Sequence, residues 1–284
     1  MTRPTWEARG RLIVAADASP RVMGIVNATP DSFSDGGRAF ALRDALSLAR
    51  QHAADGAHIL DVGGESSRPG AAVVELEEEL RRVIPIIESV CEDIGIPVSI
   101  DTAKAEVARR AVAAGAVIVN DITAMGDPSM AEVVASTGAG VVLMHMAGTP
   151  RTMQVDPTYA DVVAEVYEYL AGRIAYAEAR GIPRSRIAVD PGIGFGKRTA
   201  HNLALLRRLD EFATLGCVVL VGTSRKGFLG KLTGRPTAEL AAATVASCLW
   251  AFGRGAMVAR VHDVAPMADA AKVWAAIRGD GTDG

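Results

Sequence analysis

Asp101, Asn120 and Asp190 each stand where a short apolar run ends: Ile96 to Ile100, Val117 to Val119 and Ile187 to Val189. Carboxylates and an amide in such places can read the polar edge of a ring or face a developing positive charge. Asp can also simply cap the helix that follows, and Asn120 can tie a loop to backbone. A strand that buries apolar side chains and ends on a polar group aims that group out of the barrel mouth, where parallel α/β proteins bind ligands. The same rule repeats along the chain. Val22 to Val26 ends at Asn27, Ala57 to Leu60 at Asp61, and Gly140 to Met144 at His145. Cys217 to Gly222 ends at Ser224-Arg225-Lys226, and Ala256 to Ala259 at Arg260 and His262. The pattern is that of an enzyme with one polar mouth.

Two loops are richer than connectors need to be. Asn27-Ala-Thr-Pro-Asp-Ser-Phe-Ser-Asp-Gly-Gly37 places glycines, hydroxyls and carboxylates around Phe33 and can fold over a ligand. Gly63-Gly-Glu-Ser-Ser-Arg-Pro-Gly70 offers backbone N–H groups, hydroxyls and the fork of Arg68, which suits a phosphate oxyanion. Two solvated turns are the plainer alternative.

Positioning these groups takes a repeated strand–helix unit, and eight are countable between Val22 and Ile277. Helices are predicted over Leu42 to Ala54, Glu75 to Asp93, Ala103 to Ala114, Ser129 to Thr137, Tyr159 to Arg180, Ala200 to Leu209, Thr237 to Phe252 and Val264 to Ile277. Apolar residues three and four apart, as in Val83, Ile86, Ile87 and Val90, give each helix one face for the barrel. The expected fold is therefore a single-domain (β/α)8 TIM barrel over residues 1–284, its core from about 20 to 278, with a small N-terminal hairpin over Arg9 to Asp17 covering the floor.

Composition narrows the class. The 284 residues are 49% hydrophobic without an apolar stretch long enough to span a bilayer, and Met1 to Gly10 lacks the apolar core of a signal peptide. A cytoplasmic protein is expected. Cys91, Cys217 and Cys248 are far apart in apolar contexts and read as core residues. The net charge of -3 argues against a nucleic-acid partner. Cations gather instead near strand ends, which favours a small anionic substrate. His52, His58 and His201 read as surface residues, and Glu75 to Glu79 with Arg81 and Arg82 as a solvated helix face. Gly192-Ile-Gly-Phe-Gly196 is a weak dinucleotide fingerprint, since no ribose-binding acid accompanies it.

Six strings carry a family resemblance. They are Gly24-Ile-Val-Asn-Ala-Thr-Pro-Asp-Ser-Phe-Ser-Asp-Gly-Gly37, Ile59-Leu-Asp-Val-Gly-Gly-Glu-Ser-Ser-Arg-Pro-Gly70, Ser99-Ile-Asp-Thr102, Asp190-Pro-Gly-Ile-Gly-Phe-Gly-Lys197, Ser224-Arg-Lys226 and Arg260-Val-His-Asp-Val264. Together, in this order and at successive strand ends, they closely resemble the bacterial dihydropteroate synthases. That resemblance implies condensation of 6-hydroxymethyl-7,8-dihydropterin pyrophosphate with p-aminobenzoate to 7,8-dihydropteroate and pyrophosphate, a transferase step of folate biosynthesis. It also implies a homodimer and Mg²⁺, with Asn27 holding the metal against the diphosphate. Asp101, Asn120, Asp190, Lys226 and Arg260 match the pterin pocket. Arg68, Arg260 and His262 match the contacts to pyrophosphate. Phe33, Ser67, Pro69, Phe195 and Lys226 match the p-aminobenzoate site, which sulfonamides would share, and Asp35 the first loop. His145 and Arg151 match a further string, where His145 reads as a loop organiser, and Glu65 reads as fixing the second loop's shape.

The chain departs from the pattern at three places. Ser67 stands where many relatives have threonine, Gly227 where some have serine, and Leu240 at a helix position where many have arginine. Two other classes stay open: a pterin-binding methyltransferase, which needs no diphosphate site, and a non-catalytic pterin-binding paralogue. The mobile parts of the benzoate pocket also imply ordered binding, the aminobenzoate entering tightly only once pyrophosphate or the pterin substrate is in place.

Overall fold

Inward-facing positions two residues apart decide what this chain builds. The computed structural model describes residues 3–28, 38–68 and 70–279. Strands β3 (Arg21–Asn27), β4 (Ile59–Gly63), β5 (Val98–Asp101), β6 (Ile118–Asp121), β7 (Gly140–Met144), β8 (Ile187–Asp190), β9 (Val218–Val221) and β10 (Ala256–Val261) close into one barrel in that order, with β10 pairing back onto β3. Every pairing around it is parallel. Between successive strands run α1 (Arg38–Ala54), α2 (Leu76–Asp93), α3 (Ala105–Ala113), α4 (Met130–Thr137) and α5 (Val162–Glu178). The later links hold α6 (Thr199–Arg207) with the short α7 (Asp210–Ala213), then α8 (Gly227–Thr233) with α9 (Ala241–Gly253), and α10 (Val264–Arg278) closes the ring. This is the expected (β/α)8 TIM barrel.

The alternation along each strand sorts the barrel into layers. Near the floor Met23, Ile59, Ile118, Val142, Ala188, Val218 and Val258 form one buried cluster with the N-terminal residues Trp6, Ile13 and Val14. Two residues further along the inward faces come Asp61, Asp101, Asn120, Asp190 and Arg260, and the apolar fill gives way to polar groups. The strands' outward faces pack on the helices, as in Val22, Leu60, Ile100, Val119 and Val189 with Val83, Ile87 and Val107. No helix among the described residues is long and apolar enough to cross a membrane.

The floor hairpin exists but starts earlier than Arg9. Strands β1 (Trp6–Ala8) and β2 (Arg11–Val14) pair antiparallel, so Arg9 and Gly10 are its turn, both with positive φ. The completely buried Trp6 is the reason: its indole N–H donates to the Arg186 carbonyl at 3.1 Å and draws the first strand under the barrel.

Several expectations need correction. Strand β4 begins at Ile59 rather than Ala57, so Asp61 lies within the strand instead of at its end. His52 is buried, its Nε2 at 3.1 Å from the Ile25 carbonyl, and half-buried His58 accepts the Val22 N–H at Nδ1, so neither is a solvated surface residue. The predicted helix Thr237 to Phe252 is a 3-10 turn, Thr237–Glu239, followed by α9; Leu240 sits just before the helix with its side chain buried. Helix α8 is unexpected because Gly227 and Gly230 make a poor helix former, and burial of Phe228 and Leu229 holds it in place.

Candidate active site

Strand ends and second-layer residues meet in one cavity of about 1190 Å³ at the C-terminal mouth of the barrel. Asn27, Ser67, Arg68, Asp101, Asn120, Asp190, Phe195, Lys226, Arg260 and His262 all line it. Phe33, Asp35 and Pro69 lie outside the described residues. His145 and Arg151 are not on the cavity wall.

Asp61 organises the floor of this cavity, and it was absent from the residues assigned to the site by sequence. It is completely buried, and its Oδ2 accepts from Arg260 Nε at 2.6 Å and from Asn120 Nδ2 at 3.0 Å. Arg260 also donates through Nη2 to Asp101 Oδ2 at 2.6 Å. One guanidinium therefore bridges two carboxylates on neighbouring strands, at a depth where charge-assisted bonds are strong and an unpaired charge is costly. The donation from Nδ2 also fixes the orientation of Asn120 and leaves its Oδ1 as the acceptor. A signal was available: an acid inside the apolar run Ile59-Leu-Asp-Val62 needs a buried cation, and Arg260 shares its inward face.

Charge states follow from this packing. Burial pushes the Asp101 carboxyl up, Arg260 opposes it, and the Asp61 charge adds to the rise. Burial alone would lower Arg260, but Asp61 and Asp101 outweigh it and hold the guanidinium above its ordinary value. Asp190 is raised by burial, restrained by the Gly192 N–H and by Lys226. That N–H reaches Asp190 Oδ1 at 2.7 Å, so Oδ2 has no hydrogen-bond partner among the described residues and is left for a ligand. Lys226 has its Nζ 3.8 Å from the centre of the Phe195 ring; burial, with the charge of Arg260 adding to it, brings its ammonium down to about 8.

The loop after β8 holds Phe195 under Lys226 by buried contacts. Gly192 has φ +68°, and a Cβ there would come within 1.9 Å of the His145 carbonyl oxygen, so only glycine fits. Lys197 Nζ lies 2.9 Å from both His145 Nδ1 and the Phe195 carbonyl. His145 is thus an organiser of this loop, as expected of it, and burial brings it down to about 3.

On the opposite wall Ser224 accepts the His262 backbone N–H at 3.1 Å and lies 3.0 Å from His262 Nδ1. A hydroxyl that accepts one donor directs its own hydrogen to the other partner, so Nδ1 is the acceptor and Nε2 carries the proton. Burial, together with the charge of Arg260, brings His262 down to about 3, which keeps the ring a neutral N–H donor. Arg225, at φ +56°, forms a fork with Asp263 through Nη2–Oδ1 at 2.6 Å and Nε–Oδ2 at 3.2 Å. The exits of β9 and β10 are locked together by these two links. Gly227 opens α8 beside Lys226, and nothing there would meet an added Cβ.

The arrangement joins an acceptor-rich slot of Asp101, Asn120 and Asp190 to a rim of donors from Arg68, His262 and Lys226, with an aromatic wall between them. It suits a flat heterocycle with a donor edge and an anionic tail. Known proteins agree. The pterin binding enzyme family matches residues 23–262. A dihydropteroate synthase of Escherichia coli K12 is 47% identical over 254 residues, covering 89% of this chain and 90% of that one. A solved Xanthomonas albilineans dihydropteroate synthase with 4-aminobenzoic acid superposes with a TM-score of 0.91 at 48% identity, covering 98% and 99% of the two chains. Another from the same organism, in complex with 7,8-dihydropteroate, gives 0.87 at 46% identity, over 97% and 99%. On its strand-end site and on likeness along nearly its whole length, the chain belongs to the dihydropteroate synthases, within the pterin-binding enzyme family.

Proposed function

We infer that the cavity condenses 6-hydroxymethyl-7,8-dihydropterin pyrophosphate with p-aminobenzoate, and that the Arg260-bridged cluster of Asp61, Asp101 and Asn120 beside Asp190 is the observation that carries this reading. The ring's 2-amino and N–H donors would meet Asp190 Oδ2 and the Asn120 carbonyl, while Lys226 donates to ring acceptors. The carbon–oxygen bond to pyrophosphate breaks first, leaving a methylene cation stabilised by the pterin. Asp101 and Asp190 face that charge; Arg68, Arg260 and the Nε2–H of His262 meet the departing anion. The aniline nitrogen then forms the new carbon–nitrogen bond and releases its proton to solvent. No covalent nucleophile is required. Phe195, Ser67 and Lys226 would bound the aminobenzoate.

Mg²⁺ fits this site in a limited way. Among the described residues no group of three acidic, histidine or cysteine side chains could hold a metal ion. Asn27 supplies one neutral oxygen on the cavity wall, the donor set of a hard ion that takes the rest of its shell from diphosphate and water. Bound there, the ion would neutralise charge on the leaving group.

The protonated Lys226 gives a pH test. Its ammonium sits near 8, so kcat/KM, which reports the free enzyme, should fall as pH rises through about 8 and the donor is lost. Lys226→Arg stays charged at every accessible pH and should abolish that alkaline limb while lowering the maximum. An unchanged limb in Lys226→Arg would assign it to another group, with buried Lys197, brought down to about 7, the first to examine.

A cytoplasmic homodimer completes the reading. Trp250, Val273 and Ile277 on the last two helices are 50%, 60% and 82% exposed, large apolar groups that a partner copy would cover. Light scattering at micromolar concentration should give twice the chain mass of 29.6 kDa, and a monomer alone would contradict it.

A further inference from the structure

The segment Glu75 to Glu79 is only in part a solvated helix face. Glu78 pairs with exposed Arg81 and with the partly buried Arg82, whereas Glu79 is completely buried. Its Oε1 accepts from Thr102 Oγ1 at 2.7 Å and its Oε2 from Lys104 Nζ at 2.5 Å. Lys104 Nζ also reaches Glu65 Oε2 at 2.5 Å. Glu65 belongs to the loop after β4 that carries Ser67 and Arg68 into the cavity. Arg82 donates to the Gly64 carbonyl at 2.9 Å, and a Cβ at Gly64 would lie 2.7 Å from Val83, so the root of that loop is pressed on α2. Beyond Glu65 the described residues of the loop are held by Arg68 N–H to Ser66 Oγ at 3.3 Å, Ala71 N–H to the Arg68 carbonyl at 3.1 Å and Gly70 N–H to the Pro150 carbonyl at 3.2 Å, none of which reaches the barrel strands or α2.

We propose that Lys104 is a positioning residue for the synthase reaction: held between buried Glu79 and loop residue Glu65, its ammonium sets the pose of Ser67 and Arg68 and thereby the affinity for p-aminobenzoate. The inference rests on the function proposed above. Its logic is geometric. Glu79 is immobile, because burial and two hydrogen bonds fix it, so the Lys104 ammonium is a fixed anchor to which Glu65 ties the loop. Thr102 follows Asp101 directly, so the anchor stands on the strand that carries the pterin-facing carboxylate. Without the tie, the loop is in its binding pose for a smaller fraction of the time, and apparent affinity falls by that fraction. Saturating substrate refills the pose, so turnover changes little.

Steady-state kinetics on the intact protein test this, with calorimetry of 6-hydroxymethyl-7,8-dihydropterin alongside. Lys104→Met should raise KM for p-aminobenzoate roughly tenfold with kcat held within about threefold, the signature of lost uniform binding. Affinity for 7,8-dihydropteroate's pterin part, measured with 6-hydroxymethyl-7,8-dihydropterin alone, should be unchanged. Because Lys104→Met strands a buried carboxylate, Lys104→Met with Glu79→Gln removes that charge and should regain melting temperature without regaining KM. Lys104→Arg should restore KM to near the original value, and Glu65→Gln should raise it in the same direction as Lys104→Met. A merely structural lysine would give the opposite split, lower active fraction and kcat with unchanged KM, and that result overturns the inference. No turnover by the unaltered protein would overturn the synthase reading and this inference with it, whereas turnover with KM unchanged in the variants overturns the inference alone.

Discussion

Asp190→Asn is expected to lower kcat/KM by about a hundredfold or more in a protein that folds like the unaltered one, the usual cost of removing one preorganised electrostatic partner. The geometry explains why so small a change is so damaging. Asp190 Oδ1 is occupied by the Gly192 N–H, and an asparagine oxygen would keep that bond. Its amide nitrogen would then replace Oδ2 and put a donor against the donor edge of the ring, besides deleting a charge that faces the developing cation. Asp101→Asn is expected to lose a similar amount by a different route, because Asp101 Oδ2 is held by Arg260 and only the charge is removed. Circular dichroism should show both variants folded. Turnover near that of the unaltered protein in either one would remove that carboxylate from the mechanism.

Arg260→Met is expected to be the most damaging single change, because it strikes stability and activity together. The guanidinium is the cation shared by Asp61, which is completely buried, and Asp101, which nearly is. Removing one partner of a buried pair typically costs about 3–5 kcal/mol, since the remaining charge has no water to turn to. For a chain of this size that corresponds to a fall in melting temperature of roughly 5 to 15 °C. Turnover should fall at least about a hundredfold, because a donor to the leaving anion disappears and the acids that face the pterin lose their fixed geometry. Asp61→Asn in the same background should recover part of the stability and none of the activity. If Arg260→Met melts like the unaltered protein, the bridge is not what holds the floor of the cavity.

The barrel was legible because each strand advertises itself locally: an apolar run, a polar residue at its end, and a glycine-bounded helix to follow. Gly140–Met144 was read to the residue, and the strand ends at Asn27, Asp101, Asn120 and Asp190 all reached the cavity. What escaped depends on contacts far apart in sequence. Asp61 was misplaced at a strand end because its partner, Arg260, is separated by 199 positions. Glu79 was read as solvated with its acidic neighbours because nothing in its own helix shows that Thr102 and Lys104 will bury and pair it. His52 and His58 lie beside polar stretches, and only the approach of β3 turns them inward. Helix α8 escaped for the converse reason: its glycines argue against a helix, and tertiary burial of Phe228 and Leu229 overrides propensity.

The purified protein, supplied with 6-hydroxymethyl-7,8-dihydropterin pyrophosphate, p-aminobenzoate and Mg²⁺, tests the central claim most directly, with 7,8-dihydropteroate and pyrophosphate followed together. Stoichiometric release of both, lost in Asp190→Asn, is the result predicted here. The account would be contradicted by a protein that binds the pterin but forms no dihydropteroate, as a non-catalytic paralogue would, or by one that transfers a methyl group from methyltetrahydrofolate instead.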